Sequence, residues 1–356
     1  AADLEYVKDK ALDFHKTQVL KDAIVRSAQI LERDGDVEEI KLLVDDAMKA
    51  GTERNLGHDY LEDFEERYSE TARITTPTPW DIINELMQGG LGQGELGVVV
   101  APAGIGKSWV LSAMGAYAIS QGKNVVHYTL ELNESYVGLR YDSIFSGVEG
   151  QNLMYHKEEV LEKVEQIKGD LTIKYYPTRS CTVNTLSAHI KKATSFGAEV
   201  DMILVDYADI MRDVGKSTEM RHQLGNIYED LRGLAGEMQI PIWTASQANR
   251  SALDEDVIDA SKVAESYAKV MTADFVISVS RKIEDKIANT GRFHVIKNRF
   301  GPDGLTYPAK INTNIGKIEL FESTSTQGKE VQSKIRSRDN QTKQMLSARY
   351  EDLMSD

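Results

Sequence analysis

Between residues 96 and 296, apolar residues fall into short β-branched runs that alternate with stretches of helical periodicity. This alternation is typical of an α/β fold with a parallel, helix-covered sheet. The predicted strands are Leu96–Val100, Val125–Leu130, Leu171–Tyr176, Met202–Val205, Ile240–Ala245, Phe275–Val279 and Phe293–Ile296. Two later runs, Thr306–Ile311 and Lys317–Phe321, alternate apolar with polar residues and predict an antiparallel finish.

Three regions follow from the pattern along the whole chain. Residues 1–75 are predicted to be helical, with one helix from about Leu4, a break at Asp34-Gly35-Asp36 and a second helix over Val37–Lys49. This region is too small to bury both of its faces, so we expect it to dock on another surface. Residues 76–322 form the predicted α/β domain, and residues 323–356 are polar and predict a mobile tail or a loosely attached helix.

Composition narrows the class of protein. The chain has 356 residues, of which 41% are hydrophobic and 28% charged, as in ordinary globular domains. No window approaches the length of apolar sequence that a membrane span needs, and the single Cys181 excludes an internal disulfide, so we expect a cytoplasmic protein and no membrane partner. The net charge of -14 argues against a protein coated with nucleic acid but leaves room for a local basic channel.

The strongest chemical signal is a glycine-containing segment between the strand that ends at Val100 and an apolar-periodic helix. It reads Ala101-Pro102-Ala103-Gly104-Ile105-Gly106-Lys107-Ser108, and Trp109 follows it. This is a P-loop pattern, in which backbone N–H groups face phosphates, the lysine reaches the β- and γ-phosphates and the hydroxyl ligates magnesium. We predict that residues 103–109 bind ATP. Ala101 departs from the usual first glycine, and the alternative is a glycine-bearing turn without nucleotide.

Three further polar residues stand where predicted strands end. Asp206 follows an apolar run and is the candidate second ligand of magnesium, Glu131 is the candidate that polarises the attacking water, and Gln247 is the candidate γ-phosphate sensor. We expect the strand of Glu131 to be adjacent to the P-loop strand. Because ligands of open α/β sheets bind at the carboxyl ends of the strands, these residues predict an ATPase centre. Helix caps and polar loop residues are the alternatives.

Several segments resemble the DnaB-like replicative helicases, and most closely those of T-even-like phages, over roughly residues 15 to 321. The resemblance is carried by Thr129-Leu130-Glu131-Leu132, Asp206-Tyr207, Ala245-Ser246-Gln247-Ala248-Asn249-Arg250, Gly57-His58-Asp59-Tyr60 and Gly35-Asp36-Val37-Glu38-Glu39. It implies a RecA-like ATPase core preceded by a helical linker that docks on a neighbouring subunit.

Lys297-Asn298-Arg299-Phe300-Gly301-Pro302 is similar to the segment of this family that reaches into a neighbouring subunit's ATP. The resemblance makes Arg299 an arginine finger and Lys297 its companion. Neither has an evident role within its own subunit. The alternative is a pair of solvated cations at a strand end.

The resemblance also implies that two stretches line a DNA channel. The first, residues 211–222, carries Arg212, Lys216 and Arg221, and the second, residues 250–269, carries Arg250, Glu265 and Ser266. Ala264 stands where the family has an arginine, and Tyr267 replaces a glycine, so one basic contact is missing. Ordinary charged surface loops are the alternative.

Taken together, the resemblance implies an ATP-dependent replicative DNA helicase motor that moves on single-stranded DNA as a homo-hexameric ring, with magnesium as cofactor. Primase and a helicase loader are the further expected partners, and the cytoplasm of a phage-infected bacterium is the expected location. One alternative is a RecA-like or KaiC-like ATPase that forms a filament or regulatory ring without unwinding. Another is a nucleotide-gated binding module with no motor action.

Overall fold

The computed structural model describes residues 2–33, 40, 43–44, 47, 60–61, 64–69, 73–215, 219–253, 255–263 and 268–335. The chain divides into two compact units, residues 1–72 and residues 73–356. The boundary falls close to the predicted start of the α/β domain at residue 76.

The first unit contains a helix of 31 residues, α1 (Ala2–Glu32), and a short helix, α2 (Phe64–Ser69). The first predicted helix is therefore confirmed, whereas most of the second, together with the residues at 35–39 and 57–59 that carry the linker resemblance, lies outside the described residues. Along α1, Ala23 is buried, while Ile24 and Leu31 are 56% and 60% exposed. Helix α1 thus presents large apolar side chains on its surface.

The second unit is built on a nine-stranded sheet with the order β11-β10-β9-β8-β3-β7-β6-β4-β5. Strands β8, β3, β7, β6, β4 and β5 run parallel, and β9, β10 and β11 add antiparallel pairs at one side. The bounds are β1 (Thr75–Thr76), β2 (Leu91–Gly92), β3 (Leu96–Ala101), β4 (Val125–Thr129), β5 (Leu171–Tyr175), β6 (Met202–Asp206), β7 (Ile242–Gln247), β8 (Phe275–Ser280), β9 (Thr290–Asn298), β10 (Thr306–Asn312) and β11 (Lys317–Leu320). All nine predicted strands and the α/β class are confirmed.

Helices cover both faces of this sheet. They are α3 (Asp81–Leu86), α4 (Lys107–Ser120), α5 (Glu134–Ser146), α6 (Lys157–Val164), α7 (Val183–Ser195), α8 (Met220–Met238), α9 (Ala268–Thr272) and α10 (Ile283–Ala288). Alternate residues of β3 divide the core in two: Val99 belongs to a cluster with Leu111 of α4, and Val98 to a cluster with Leu231 of α8. The period-2 geometry of a strand buried on both faces explains the continuous apolar run.

One predicted neighbour relation is wrong. Strand β4 pairs with β5 and β6, so β6 and β7 lie between it and the P-loop strand β3. Pairing is decided by how crossovers pack on the sheet, and the local pattern of a strand carries no information about its partner. Since all these strands are parallel, their carboxyl ends still share one edge.

The C-terminal region is more firmly attached than predicted. Residues 326–335 are helical, and Val331 and Ile335 are 1% and 5% exposed. Two apolar side chains one turn apart give this helix a buried face. The overall polar composition of the region did not indicate this face. The rest of the predicted tail, residues 336–356, is outside the described residues. None of the described helices is long and apolar enough to cross a membrane.

Candidate nucleotide-binding site

The P-loop connects β3 to α4 through a turn that needs glycine. Gly104 and Gly106 have φ angles of 72° and 114°, a region that side chains with a Cβ rarely adopt. Helix α4 begins at Lys107, and no side chain caps its N-terminus. The first N–H groups of a helix lack intrahelical partners and carry partial positive charge, so this turn is suited to bind an anion.

A cavity of about 380 Å³ opens at this turn. It is lined by Ala103, Gly104, Gly106, Lys107, Ser108, Trp109, Glu131, Leu132, Arg140, Tyr207, Gln247, Arg281, Lys286 and Thr313. The structure therefore brings together the predicted loop residues, the candidate base and the candidate sensor. Ile105 differs from its neighbours in the loop, because its side chain is 1% exposed and belongs to the hydrophobic core.

Asp206 ends β6 with its side chain buried beside the loop. The Ser108 side chain interacts with the Asp206 carboxylate, whose Oδ1 atom has no hydrogen-bond partner in the described part of the chain. Burial raises the pKa of Asp206, while Ser108, Arg140 and Lys107 act in the opposite direction. A buried carboxylate oxygen without a donor, next to a hydroxyl, fits a hard divalent cation such as Mg²⁺.

No group of three or more acidic, histidine or cysteine side chains that could hold a metal occurs among the described residues. Mg²⁺ is usually held by one or two protein ligands together with waters and substrate phosphates, and Asp206 and Ser108 supply two such oxygen donors. The other ligands of an Mg²⁺ ion held by Asp206 and Ser108 would be waters and the oxygens of a polyphosphate.

Lys107 lies against its own loop, where its Nζ atom donates to the carbonyl oxygens of Ala101 at 3.3 Å and Pro102 at 3.4 Å. Burial lowers the pKa of Lys107, and the nearby carboxylates of Asp206 and Glu131 oppose that shift. The ammonium thus stands between the loop and the two candidate catalytic carboxylates, where a phosphate group would meet it.

Gln247 ends β7 directly opposite Ala101 of the P-loop strand in the parallel register. Its backbone N–H donates to Asp209 Oδ2 at 2.9 Å, which fixes the strand end beside the cavity. The prediction that Gln247 and the P-loop share one edge is confirmed by this register.

Arg140 is the cavity residue that sequence reasoning missed and that has the clearest chemical meaning. It lies on α5, the helix after Glu131, with its guanidinium carbon 5.3 Å from the centre of the Trp109 ring. Its Nη1 atom is buried and has no partner among the residues that the structure describes. Burial lowers the pKa of Arg140, whereas Asp206 and Glu131 raise it. A half-buried guanidinium with a buried, unused donor atom is a candidate ligand for a phosphate oxygen.

A signal for Arg140 was present in the sequence. It lies between Val137 and Tyr141, which are one helical turn apart and both buried. It also follows Glu131, the candidate base, by the length of less than three helical turns. The other cavity residues that were not predicted are Leu132 and Tyr207, which follow Glu131 and Asp206 directly, and Arg281, Lys286 and Thr313 from segments further along the chain.

Residues 77–317 match the family model of the DnaB-like helicase C-terminal domain. This chain belongs to that family. The DnaB-like replicative helicase of Enterobacteria phage T4 is 29% identical over 288 residues, which cover 75% of this chain and 59% of the phage T4 protein. The chain thus spans about three fifths of the length of that relative.

Solved structures show the same fold for this DnaB-like domain. One of them is an ATPase domain, which superposes with a TM-score of 0.62 at 16% identity, covering 73% of this chain and 96% of that one. A DnaB-like replicative helicase, solved in a study of its interactions with primase, superposes with a TM-score of 0.64 at 16% identity, covering 84% of this chain and 76% of that one. The predicted RecA-like core is confirmed.

The predicted finger residues of the DnaB-like domain lie away from its own cavity. Arg299 Nη1 is 2.6 Å from Asp274 Oδ1, and Lys297 Nζ donates to the carbonyls of Val270 and Met271. Asp274 immediately precedes β8, so this cluster stands at the amino edge of the parallel strands, opposite the P-loop edge. Both cations therefore have contacts within their own chain, and their action in a neighbouring subunit stays a prediction.

Of the predicted DNA-contacting residues in the DnaB-like domain, Arg212 and Arg221 are exposed at the two ends of their stretch. Lys216, Glu265 and Ser266 lie outside the described residues, and for Arg250 only the backbone, in a 3₁₀ turn, is described. Their contact with DNA stays a prediction.

Proposed function

We propose that this chain is the ATP-driven motor of a replicative DNA helicase that moves on single-stranded DNA as a homo-hexameric ring. One observation carries the proposal: the match to the DnaB-like family over residues 77–317 includes the loop, strand ends and helix that enclose the 380 Å³ cavity. Membership of this family favours a helicase over a RecA-like or KaiC-like assembly without unwinding activity.

In this proposal the triphosphate lies against the turn at Gly104 and Gly106 and the start of α4. Unsatisfied N–H groups, the helix dipole and the Lys107 ammonium all favour negative charge there. Trp109 and Thr313 line the same cavity. The cavity is thus positive where phosphates are proposed and acidic where water has to be activated.

Ser108 and Asp206 are the residues that would hold magnesium. When bound, the ion would neutralise charge on the phosphates as the bond to the γ-phosphate breaks. Glu131 would accept a hydrogen bond from the attacking water and orient it, and Arg140 would donate its unused Nη1 to a phosphate oxygen. Gln247 would sense whether the γ-phosphate is present.

Arg299 and Lys297 are proposed to act in a neighbouring subunit's site. Their position at the edge of the sheet opposite the P-loop supports this. In a ring where the amino edge of one subunit's sheet faces the carboxyl edge of the next, these cations would lie at the neighbour's ATP. Side-chain exposure of 49% leaves Arg299 able to exchange Asp274 for a phosphate. Helix α1, with exposed Ile24 and Leu31, is proposed to dock on the adjacent subunit.

Single-stranded DNA is proposed to run through the ring along residues 211–222 and 250–269. Primase and a helicase loader are the proposed partners; for primase, the supporting observation is that a structural neighbour was studied in its interactions with primase. The similarity to a phage T4 protein supports the cytoplasm of a phage-infected bacterium as the place of action.

The proposal is tested by ATP hydrolysis with and without single-stranded DNA, followed by unwinding of a forked duplex by the assembled oligomer. We expect turnover that DNA stimulates, unwinding that requires ATP, and loss of both in Lys107→Ala. A binding module would show neither turnover nor stimulation, and a filament or regulatory ATPase would hydrolyse ATP without opening the fork. Unchanged turnover in Lys107→Ala would rule out the proposed site.

A further inference from the structure

Outside the cavity lining, a lysine is buried within the domain. Lys269 is 1% exposed, and its Nζ atom is 2.9 Å from Asp209 Oδ1 and 3.2 Å from Ser246 Oγ. A buried ammonium is unfavourable unless it is paired and hydrogen-bonded, and removal of its partner leaves an uncompensated charge. The ion pair between Asp209 and Lys269, hereafter the buried pair, is therefore a rigid connection rather than an adjustable surface contact.

Asp209 is the centre of this network. Its Oδ2 atom accepts from the backbone N–H of Gln247 at 2.9 Å and from Ser246 Oγ at 3.1 Å, and its Oδ1 atom accepts from Tyr228 Oη at 2.7 Å. Burial raises the pKa of Tyr228, so this hydroxyl stays a neutral donor. One carboxylate thus fixes the candidate γ-phosphate sensor, and it lies in the 3₁₀ turn that begins two residues after Asp206.

The groups that hold Asp209 come from the segments that carry the predicted DNA contacts. Lys269 ends the stretch 250–269 and lies on α9, and Tyr228 lies on α8, which begins within the stretch 211–222. The stretch 250–269 is also tied to Ala248, the residue after the sensor strand, through a bridge between Ala248 and Val263. Any displacement of α9 has to move Asp209 with it or break an ion pair in a low-dielectric interior.

We propose that Asp209 and Lys269 are positioning residues that couple DNA contact at residues 250–269 to the placement of Gln247 at the nucleotide. The inference rests on the proposed function and adds to it the connection by which DNA regulates hydrolysis. Neither residue lines the cavity, so each acts through Gln247. The coupling is a packed chain from α9 through one carboxylate to the strand end, and the buried pair is its central contact.

The test uses the whole 356-residue chain with Asp209→Asn, Lys269→Met and the double variant. The measured quantity is the ratio of ATP turnover with a dT oligonucleotide to turnover without it, and the melting temperature is recorded for each protein. Asp201→Asn is the matched control, because Asp201 also binds a lysine, Lys123 at 3.3 Å, and a backbone N–H, that of Asn124 at 2.8 Å, but does so away from the cavity.

We expect each single variant to lower the DNA stimulation ratio about tenfold, within the usual range for coupling between two sites. The double variant has no uncompensated charge, so we expect it to recover the melting temperature while its ratio stays low. Asp201→Asn should keep the ratio of the parent. Loss of folding in a single variant does not spoil the test, since the double variant decides it.

Recovery of both the melting temperature and the stimulation ratio in the double variant would overturn the inference, because the pair would then serve stability alone. An unchanged ratio in all three variants would do the same. These results differ from failure of the proposed function, which would appear in the parent as absence of ATP turnover or of any response to DNA, and which would remove the basis of the inference as well.

Discussion

Gly115 allows the P-loop helix α4 to pack closely against helix α5 and strand β6. A Cβ at this position of α4 would be 2.4 Å from Tyr141 Oη and 2.8 Å from Leu204 Cδ1. Both neighbours are fully or almost fully buried, and Tyr141 Oη is held at 2.9 Å from His127 Nδ1. Because neither neighbour has room to withdraw, Gly115→Ala is expected to force α4 away from the sheet.

The magnitude follows from two opposing effects. Overpacking of a core costs about 1–3 kcal/mol, and contacts under 3.0 Å on two sides point to the upper half of that range. Alanine recovers about 1 kcal/mol of helix propensity, which leaves a net loss of about 1–2 kcal/mol in the free energy of unfolding. At about 2–4 °C per kcal/mol for a domain of this size, the melting temperature should fall by about 2–8 °C.

Gly233→Ala is the matched control for calorimetry without nucleotide. Gly233 is an exposed residue of α8, and no atom lies within 4 Å of its Cβ position. The substitution therefore tests helix propensity alone and should stabilise the domain by about 0.5–1 kcal/mol. If Gly115→Ala were as stable as the parent, or gained as much as Gly233→Ala, the close packing of α4 would be refuted.

Three further predictions concern charge. Burial lowers the pKa of His127 from 6.5 to about 3, so between these pH values the unfolded chain binds one proton more than the folded chain. The free energy of unfolding should therefore be unchanged above pH 6.5 and lower by about 2 kcal/mol at pH 5. Urea denaturation at pH 7 and at pH 5 measures this loss, which should be smaller in His127→Gln. Arg140→Ala should lower kcat for ATP about a hundredfold without loss of folding by circular dichroism, and a kcat like that of the parent would exclude Arg140 from the phosphates. Arg299→Ala should lower DNA-stimulated ATP turnover about a thousandfold in assembled rings. Mixing Arg299→Ala subunits with Lys107→Ala subunits should restore part of the turnover if Arg299 acts in trans, because some sites then combine an intact Lys107 with a neighbour's intact Arg299. If Arg299 acts in cis, mixing should restore none.

Local sequence was enough to find the centre of the site. The P-loop, Asp206 and Glu131 each stand directly after an apolar run. When helices connect successive strands, the strands run parallel and their carboxyl ends lie at one edge of the sheet. The period-2 pattern and β-branched runs likewise identified all nine strands of the sheet. These inferences depend on backbone geometry, which neighbouring residues in the chain determine.

Tertiary structure decided what depends on residues far apart in sequence. The order of strands, and with it the separation of β4 from β3, follows from crossover packing. The burial of Lys269 and of Arg140 Nη1 follows from the carboxylates and rings that the fold brings beside them, and composition predicts the opposite, since Arg and Lys are seldom buried. The cation Arg299, expected to be without a role in its own chain, is paired because β9 ends beside the residue that starts β8. A motif is local, whereas the electrostatic environment of a side chain is the sum over everything folded around it.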